Sequence, residues 1–195
     1  EKEAERYSKL LLDNPTDVVI MGIGENGHIA FNDPPVADFK DSKVVKPVKL
    51  DEICRQQQVN DGCFKSIDEV PTQAYTMGIG TIMSAKKIVL MMWGEDKAAV
   101  AHRLIEGEVN EEYPVTCLQE HDDVQVVIDE AAAQELTRVK EPWLVAPPIE
   151  WSDKLIRKAV IWLCQTVDKP ILKLTHQDYI KNSLSDLLER VDTYD

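Results

Sequence analysis

The sequence has little that would suit a polyanionic partner or a membrane. Lys and Arg number 22 against 35 Asp and Glu, which gives a net charge of −13 at pH 7. This balance argues against nucleic acid and anionic membrane surfaces as partners, because both attract positive charge. No apolar run approaches the roughly 18 residues of a membrane span, and no signal-peptide pattern is visible. A local basic pocket for one small phosphate remains open.

Cysteine is also sparse. The four cysteines, at positions 54, 63, 117 and 164, lie far apart, with no C-x-x-C pair and no paired histidine spacing. This pattern predicts reduced thiols, no structural metal and a cytoplasmic location. An initiator methionine is absent as well, and the chain opens in the helix-like EKEAERYSKLLLDN. We therefore expect the chain to be a piece of a longer protein.

Apolar runs that alternate with helical segments indicate an α/β fold. DVVIM and KKIVLMMWG are typical of buried parallel strands, and EDKAAVAHRLIEG predicts a helix that Gly107 ends. AYTMGIGTIMSA predicts a strand, a glycine turn and a short helix near Thr81. PVTCLQEH and DVQVVIDEAAAQEL predict one or two more strands and a closing helix. The alternation favours a mostly parallel sheet with helices on both faces.

The chain changes character after about residue 139. We assign residues 1–140 to the α/β domain, within which residues 36–70 predict a helix feeding an irregular loop. Residues 141–195 form a connector and a helical extension. KEPWLVAPPIEW indicates the extended connector, and SDKLIRKAVIWLCQTV and THQDYIKNSLSDLLERV predict two amphipathic helices, the second capped by Thr175.

The stretch GIGENGHIAFNDPP, at positions 22–35, matches G-x-G-x-x-G after a strand and so invites a dinucleotide-binding interpretation. That fingerprint needs its third glycine to open a long helix that receives the pyrophosphate. Pro34 and Pro35 prevent such a helix beyond a turn or two. No acidic residue closes a second strand about 20 residues further on, so we disfavour the nucleotide interpretation.

The same loop contains the residue types of an acid/base site. It follows a strand at the carboxyl edge of the predicted sheet, where open α/β folds bind ligands. Its polar side chains are Glu25, Asn26, His28, Asn32 and Asp33. A histidine beside a carboxylate is the usual arrangement for proton transfer near neutral pH. The alternative, a turn histidine among residues that favour turns, stays open on composition alone.

GIGENGHIAFNDP resembles the signature G-x-G-x-[DN]-G-H-I-[AG]-F-N-E-P of the glucosamine-6-phosphate deaminase/isomerase family. The resemblance covers roughly residues 15–135 and includes VPTQAYTMGIGTIMSAKKIVLMMWGEDKAAVAHRLIEGEV and TCLQEHDDVQVVIDEAAA. The related 6-phosphogluconolactonases carry a G-H-T-A-S-L-F-P type of sequence, so GHIAFNDP favours the deaminases. The tail from Trp143 is similar to an extension of some longer bacterial members. The resemblance implies a fold of the sugar-phosphate isomerase/deaminase type.

The resemblance also implies a reaction and a set of site residues. Members open the ring of glucosamine 6-phosphate or a close analogue, move a proton between C2 and C1, and release ammonia to give fructose 6-phosphate. They need no metal or organic cofactor and often form closed homo-oligomers. The matched positions imply the proton shuttle His28, its orienting acid Asp33, the polar partner Asn26, the phosphate anchor Lys97 and the substrate-binding glycines Gly24 and Gly27.

The chain departs from the family pattern at several positions, and these departures leave other functions open. Well-studied members have Asp where Asn26 stands and Glu where Asp33 stands, and VNDGCF lacks the arginine that the family places on the phosphate. Nothing before residue 17 resembles the family's phosphate loop or the aspartate that removes the C2 proton. We expect residues 1–195 alone to hold half a site and to show no turnover. The alternatives are a 6-phosphogluconolactonase-like hydrolase and a non-catalytic sugar-phosphate-binding regulatory module.

Overall fold

The computed structural model describes residues 1–34, 36–145 and 149–190, and the side chains of all these residues except Arg190. The chain divides into two compact units, unit 1 (Glu1–Gln134) and unit 2 (Glu135–Asp195). Expectations for Pro35, for residues 146–148 of the connector and for residues 191–195 lie outside the described residues.

Unit 1 contains a parallel sheet, so the predicted α/β class is confirmed. Its strands are β1 (Val18–Met21), β4 (Lys87–Met92) and β5 (Val124–Ile128), in the order β1-β4-β5. The central strand β4 buries alternate side chains, Ile88, Leu90 and Met92. Among the described strands β1 has a partner on one side only, and its Val18 and Ile20 are exposed.

A separate antiparallel pair, β2 (Val45–Lys49) and β3 (Gln73–Met77), corrects the sequence prediction in two ways. The segment AYTM forms a strand as expected, but it pairs with β2 rather than joining the parallel sheet. Strand β2 lies in a region predicted to be helix and loop. It was missed because its buried residues, Val45 and Val48, are three apart and enclose Lys46 and Pro47, so the alternation expected of a strand is broken.

The helices of unit 1 fill the intervals between the strands. They are α1 (Lys2–Asp13), α2 (Glu52–Asn60), α3 (Ile79–Met83), α4 (Ala98–Glu106) and α5 (Glu130–Ala133), with 3-10 helices at Ile67–Glu69, Glu95–Lys97 and Pro114–Glu120. Asp51 caps α2 by accepting a hydrogen bond of 2.6 Å from the Cys54 backbone N–H. Gly107 follows the last residue of α4, as predicted.

The 3-10 helix at Pro114–Glu120 replaces the strand expected for PVTCLQEH. Residues 114–118 are all buried, so they show no periodicity that would separate a helix from a strand. Pro114 sits at the first turn, where its missing N–H costs nothing. The Thr116 hydroxyl donates to the Tyr113 carbonyl over 2.7 Å, which closes the turn locally.

Unit 2 is helical. Its helices are α6 (Thr137–Lys140), α7 (Asp153–Thr166), α8 (His176–Lys181) and α9 (Ser185–Arg190), with 3-10 helices at Pro142–Leu144 and Ile171–Lys173. Helix α7 is confirmed, and Thr175 is the residue before α8, as predicted. The single second helix is wrong, because Ser183 adopts φ +61° and divides it into α8 and α9.

The two units have separate hydrophobic cores. Unit 1 packs one cluster that includes side chains of β4 and of the loop that follows β1; among its members are Ile29, Ile79, Ile88, Leu90 and Leu118. Unit 2 packs Trp143, Trp151, Ala159, Leu163, Leu184 and Leu187. No helix in the described ranges is long and apolar enough to cross a bilayer.

The contrast between β4 and β1 gives a test of this packing. Ile88→Ala should lower the free energy of unfolding by about 2–5 kcal/mol, since Ile88 is fully buried. The matched change Ile20→Ala removes the same atoms from a side chain that is 66% exposed, and should cost about 1 kcal/mol or less. Urea denaturation followed by circular dichroism measures both. Equal losses would contradict the difference in burial between Ile88 and Ile20.

Candidate active site

The loop after β1 carries most of the polar residues singled out in the sequence. Two backbone hydrogen bonds shape it: the Gly24 N–H donates to the His28 carbonyl over 3.1 Å, and the Gly27 N–H donates to the Gly24 carbonyl over 2.9 Å. Gly27 adopts φ +83°, a conformation that other residues rarely take. The loop therefore turns back on itself immediately beyond the carboxyl end of a parallel strand.

His28, Asn26 and Asp33 form one hydrogen-bonded group. The Nδ1 atom of His28 lies 2.7 Å from Asn26 Oδ1 and 3.1 Å from Asp33 Oδ1. The Asn26 side-chain amide donates to the same Asp33 oxygen over 3.1 Å, and Asn26 Oδ1 also accepts the His28 backbone N–H. The structure thus brings together all three residues that the sequence assigns to the chemistry.

These contacts fix the tautomer of His28. Both neighbours of Nδ1 are acceptor oxygens, so Nδ1 must carry a proton in either protonation state of the ring. No described residue hydrogen-bonds to Nε2. Nε2 is therefore the nitrogen that can gain or release a proton, and Asp33 is placed to stabilise the imidazolium.

Asp33 is 6% exposed and is held as a carboxylate. The hydrogen bond from His28 lowers the pKa of Asp33, the Asn26 amide and the His28 charge lower it further, and burial opposes them. The acid accordingly stays ionised at neutral pH, which the orientation of His28 requires.

Gly24 is needed because the imidazole packs against its backbone. A Cβ built at Gly24 would overlap the Cε1, Nδ1 and Nε2 atoms of His28. Gly22, two residues earlier, has no such neighbour, since a Cβ there would meet only the Met91 carbonyl oxygen at 3.9 Å. The second site glycine, Gly27, accepts a hydrogen bond of 2.8 Å from the Val115 N–H, which ties the loop to the 3-10 helix at Pro114–Glu120.

Asn32 anchors the far side of the loop, a role that the sequence did not assign to it. Its fully buried side-chain amide donates to the Ile29 carbonyl over 3.0 Å and to the Met77 carbonyl over 2.8 Å. Phe31 adds a backbone hydrogen bond to the Thr76 hydroxyl over 3.1 Å. The β3 strand therefore holds the segment between His28 and Asp33. This link was not foreseen, because it joins residues 45 positions apart in the sequence.

His28 borders two cavities. The first has a volume of about 580 Å³ and is also lined by Gly22, Gly24, Phe31, Gln57, Thr76 and Met77. The second has a volume of about 670 Å³ and is also lined by Glu25, Asn26, Glu52, Cys54, Gln56 and Asn60. Both volumes suit a small ligand. Helix α2 thus contributes glutamine side chains to the site.

Cys54 is not a nucleophile in this setting. Burial, helped by the charges of Asp33 and Asp51, raises the pKa of its thiol to about 11. The thiol is therefore protonated at neutral pH, whereas the thiolate is the reactive form. All four cysteines are free, and the described residues contain no group of three His, Cys, Asp or Glu side chains that could hold a metal ion.

Lys97 lies at the same edge of the sheet as the His28 loop but borders neither cavity. It precedes the first residue of α4, after the strand β4 that pairs with β1. Its side chain is partly exposed. The structure therefore puts Lys97 at a helix N-terminus on the carboxyl edge, without bringing it into the group around His28.

A second histidine, His121, shows what a structural imidazole looks like in this chain. Its Nε2 lies 2.8 Å from the Ala85 carbonyl oxygen, and its Nδ1 accepts the Asp123 backbone N–H over 3.0 Å. Both nitrogens are occupied by backbone groups, and the tautomer is the opposite of that in His28. His121 is therefore a packing residue.

The chain resembles known proteins over most of unit 1. Residues 1–128 match the family described as glucosamine-6-phosphate isomerases/6-phosphogluconolactonase. A glucosamine-6-phosphate deaminase of Streptococcus equi subsp. zooepidemicus is 44% identical over 136 residues, which are 70% of this chain and 56% of that protein. The solved structure of a monomeric glucosamine-6-phosphate deaminase superimposes with a TM-score of 0.64 at 42% identity, covering 69% of this chain and 54% of that one.

One relative is similar beyond unit 1. A putative glucosamine-6-phosphate deaminase-like protein of Bacteroides thetaiotaomicron is 43% identical over 172 residues, which are 88% of this chain and 25% of that protein. This match is longer than unit 1, so it continues into unit 2. The chain spans about half the length of the curated deaminases it matches and a quarter of the Bacteroides protein.

The tautomer of His28 can be tested without an activity assay. Long-range proton–nitrogen spectra at alkaline pH should show His28 protonated on Nδ1 and His121 protonated on Nε2. Gly24→Ala should abolish the His28 pattern, because the new methyl group displaces the ring, while the control Gly22→Ala should preserve it. An Nε2–H tautomer for His28 in the unmodified chain would contradict the geometry.

The ionisation of Asp33 predicts a pH dependence of stability. Its folded-state pKa lies below the unfolded value, near 3.8, so its stabilisation is full above that value and is lost as the pH falls through the folded pKa. Asp33→Asn should lower the free energy of unfolding at pH 7 by about 1–3 kcal/mol. Its difference from the unmodified chain should shrink as the pH falls below about 3.8 and through the lowered folded-state pKa.

The control is Asp68→Asn, which removes an exposed carboxylate that has no hydrogen bond or ion pair among the described residues. It should leave the free energy of unfolding within about 0.5 kcal/mol. A constant difference between Asp33→Asn and the unmodified chain from pH 7 to pH 2 would show that the Asp33 charge does not contribute.

Proposed function

The chain belongs to the glucosamine-6-phosphate isomerase/6-phosphogluconolactonase family, and from that premise we propose that it carries the ring-opening half of an amino-sugar-phosphate deaminase/isomerase site. The substrate would be glucosamine 6-phosphate or a close analogue, and the products a ketose phosphate and ammonia. The observation that carries the proposal is the position of His28 Nδ1 against the side-chain oxygens of Asn26 and Asp33, which leaves Nε2 available for proton transfer beside two cavities.

In this proposal His28 opens the sugar ring. Nε2 takes the proton of the anomeric hydroxyl and returns it to the ring oxygen as the bond from C1 to the ring oxygen breaks. One nitrogen suffices because the two oxygens of the substrate are close together. The transient imidazolium is stabilised by the Asp33 carboxylate, 3.1 Å from Nδ1. No metal or organic cofactor takes part in such a transfer.

We assign Asn26 to the support of His28 rather than to direct contact with the sugar. Its oxygen accepts from the His28 ring and backbone, and its amide donates to Asp33. A second carboxylate at position 26 would face Asp33 at this distance, and like charges so close raise the pKa of one partner. The asparagine therefore suits an arrangement in which Asp33 alone carries the negative charge.

The remaining assignments concern the phosphate and the loop backbone. Lys97 would hold the substrate phosphate together with the N-terminus of α4, a position that favours an anion. The N–H groups of Gly24 and Gly27 are engaged within the loop, so we propose that these glycines shape the substrate-binding surface by their lack of side chains. The base that removes the C2 proton is not assigned to any residue of this chain.

The assembly of the protein stays a prediction. The solved relative is described as a monomeric enzyme, whereas the resemblance noted in the sequence favours a homo-oligomer. The cytoplasmic location of the protein also stays a prediction.

The test is ammonia release from glucosamine 6-phosphate by the natural polypeptide that contains these residues. His28→Gln should lower kcat by about 10²–10⁴-fold with a smaller change in KM, because the substitution removes the proton acceptor but not the phosphate contacts. The control His102→Gln changes a half-exposed histidine of α4 and should leave kcat unchanged. Residues 1–195 alone should release no ammonia.

Three outcomes would contradict the proposal. Equal activity of His28→Gln and His102→Gln would remove His28 from the chemistry. Saturable binding of hexosamine 6-phosphates without ammonia release would favour a regulatory module. Hydrolysis of a phosphorylated sugar lactone, without ammonia or ketose production, would favour the lactonase branch of the family.

A further inference from the structure

Unit 2 differs from unit 1 in its charge. It contains nine of the 22 Lys and Arg residues and ten of the 35 Asp and Glu residues, a net charge of −1 out of −13. Unit 2 is therefore close to neutral, so a cluster of cations on it can present local positive charge.

A cavity of about 700 Å³ runs along helix α7 within unit 2. Its walls combine cationic side chains with aromatic and aliphatic ones. The lining residues are Lys140, Glu141, Trp143, Asp153, Lys154, Arg157, Lys158, Ile161, Trp162 and Gln165. The volume lies in the range of small-molecule sites, which join apolar walls to a few charged groups.

Most cations of this cavity have no ion-pair partner among the described residues. Lys154, Arg157 and Lys158 lie on one face of α7, at spacings of three and four residues, and none has an ion pair or a side-chain hydrogen bond within the described ranges. Lys140 alone is paired, with Glu135 at 2.7 Å. The four cations outnumber the lining anions Glu141 and Asp153, so the cavity has a net positive charge.

The aromatic wall carries a hydrogen-bond donor that has no partner in the part of the chain that the structure describes. Trp143 is 2% exposed, packs against Trp162 with ring centroids 5.4 Å apart, and stacks on Trp151 at 6.2 Å. Its indole N–H is buried and has no acceptor among the described residues, whereas Trp151 donates to Asp186 over 2.7 Å. Buried donors nearly always find a partner, because an unpaired one costs about 1–3 kcal/mol.

Ile161 extends the apolar surface into solvent. It is 59% exposed, although it borders the same cavity as Trp162 and follows the three cations on α7. A flat apolar group lying against Ile161 and Trp162 would therefore reach Arg157 and Lys158 with an attached anion. A guanidinium and an ammonium side by side suit a phosphate, which accepts several charge-assisted hydrogen bonds.

We propose that the α7 cavity of unit 2 binds a small phosphorylated ligand that carries a flat ring, such as a nucleoside or aryl phosphate. The ring lies on the wall formed by Trp162 and Ile161, and the phosphate is held by Arg157 and Lys158. This site is separate in the sequence from the His28 loop and does not depend on the activity proposed for it. An acidic peptide could satisfy the cations, but it would leave the flat wall without a matching group.

The test is titration calorimetry of the chain with AMP, with adenosine and inorganic phosphate as the two halves of the probe. AMP should bind saturably, with a dissociation constant on the order of 1 mM or below, and at least tenfold more tightly than either half. Arg157→Gln and, separately, Lys158→Gln should each weaken AMP binding about tenfold, the loss expected for one charge-assisted hydrogen bond. Added salt should also weaken it.

The matched controls lie outside the cavity. Lys173→Gln removes the same charge from an exposed position of unit 2, and His28→Gln alters the site in unit 1; both should leave AMP binding unchanged. Circular dichroism confirms that each variant is folded. The proposal is overturned if AMP shows no saturable binding, if adenosine binds as tightly as AMP, or if His28→Gln rather than Arg157→Gln abolishes binding. If an acidic peptide of glutamates is the one competitor that displaces AMP, the proposal is overturned in favour of a protein partner.

Discussion

The contact on which the site depends is the shared hydrogen bond from His28 Nδ1 to the oxygens of Asn26 and Asp33. It decides which ring nitrogen carries the fixed proton, and so which one is available to a substrate. The same contact holds Asp33 ionised, because the hydrogen bond from His28 lowers the pKa of the acid. Tautomer, orientation and charge are thus set together by three side chains within eight positions of the sequence.

The rest of unit 1 serves to hold those side chains in place. Gly24 leaves the space in which the imidazole lies, and Gly27 provides the backbone conformation that turns the loop back. Asn32 then anchors the segment to the carbonyl of Met77 on β3. The antiparallel β2–β3 pair, which lies apart from the parallel sheet, therefore has a direct part in the geometry of His28. The chemistry proposed for the loop after β1 therefore depends on hydrogen bonds to the β2–β3 sheet.

The sequence predicts the parallel strands, helix α7 and the grouping of Asn26, His28 and Asp33, because each rests on a local pattern: a continuous apolar run, a helical periodicity, or close spacing in one loop. It does not predict β2, whose buried valines are not alternate, nor the 3-10 helix at Pro114–Glu120, which is buried throughout. The role of Asn32 also escapes it, because that role follows from a hydrogen bond to the distant strand β3. The family resemblance implies that Lys97 binds the substrate phosphate, but Lys97 lines neither of the cavities beside His28.

The most direct test of the central claim is a crystal structure of the natural polypeptide with an open-chain amino-alditol 6-phosphate, which resembles the ring-opened substrate. We expect His28 Nε2 within about 3 Å of the oxygen on C1 or C5, with Nδ1 still hydrogen-bonded to Asn26 and Asp33. A ligand bound elsewhere, or bound with His28 turned so that Nδ1 faces the sugar, would contradict it.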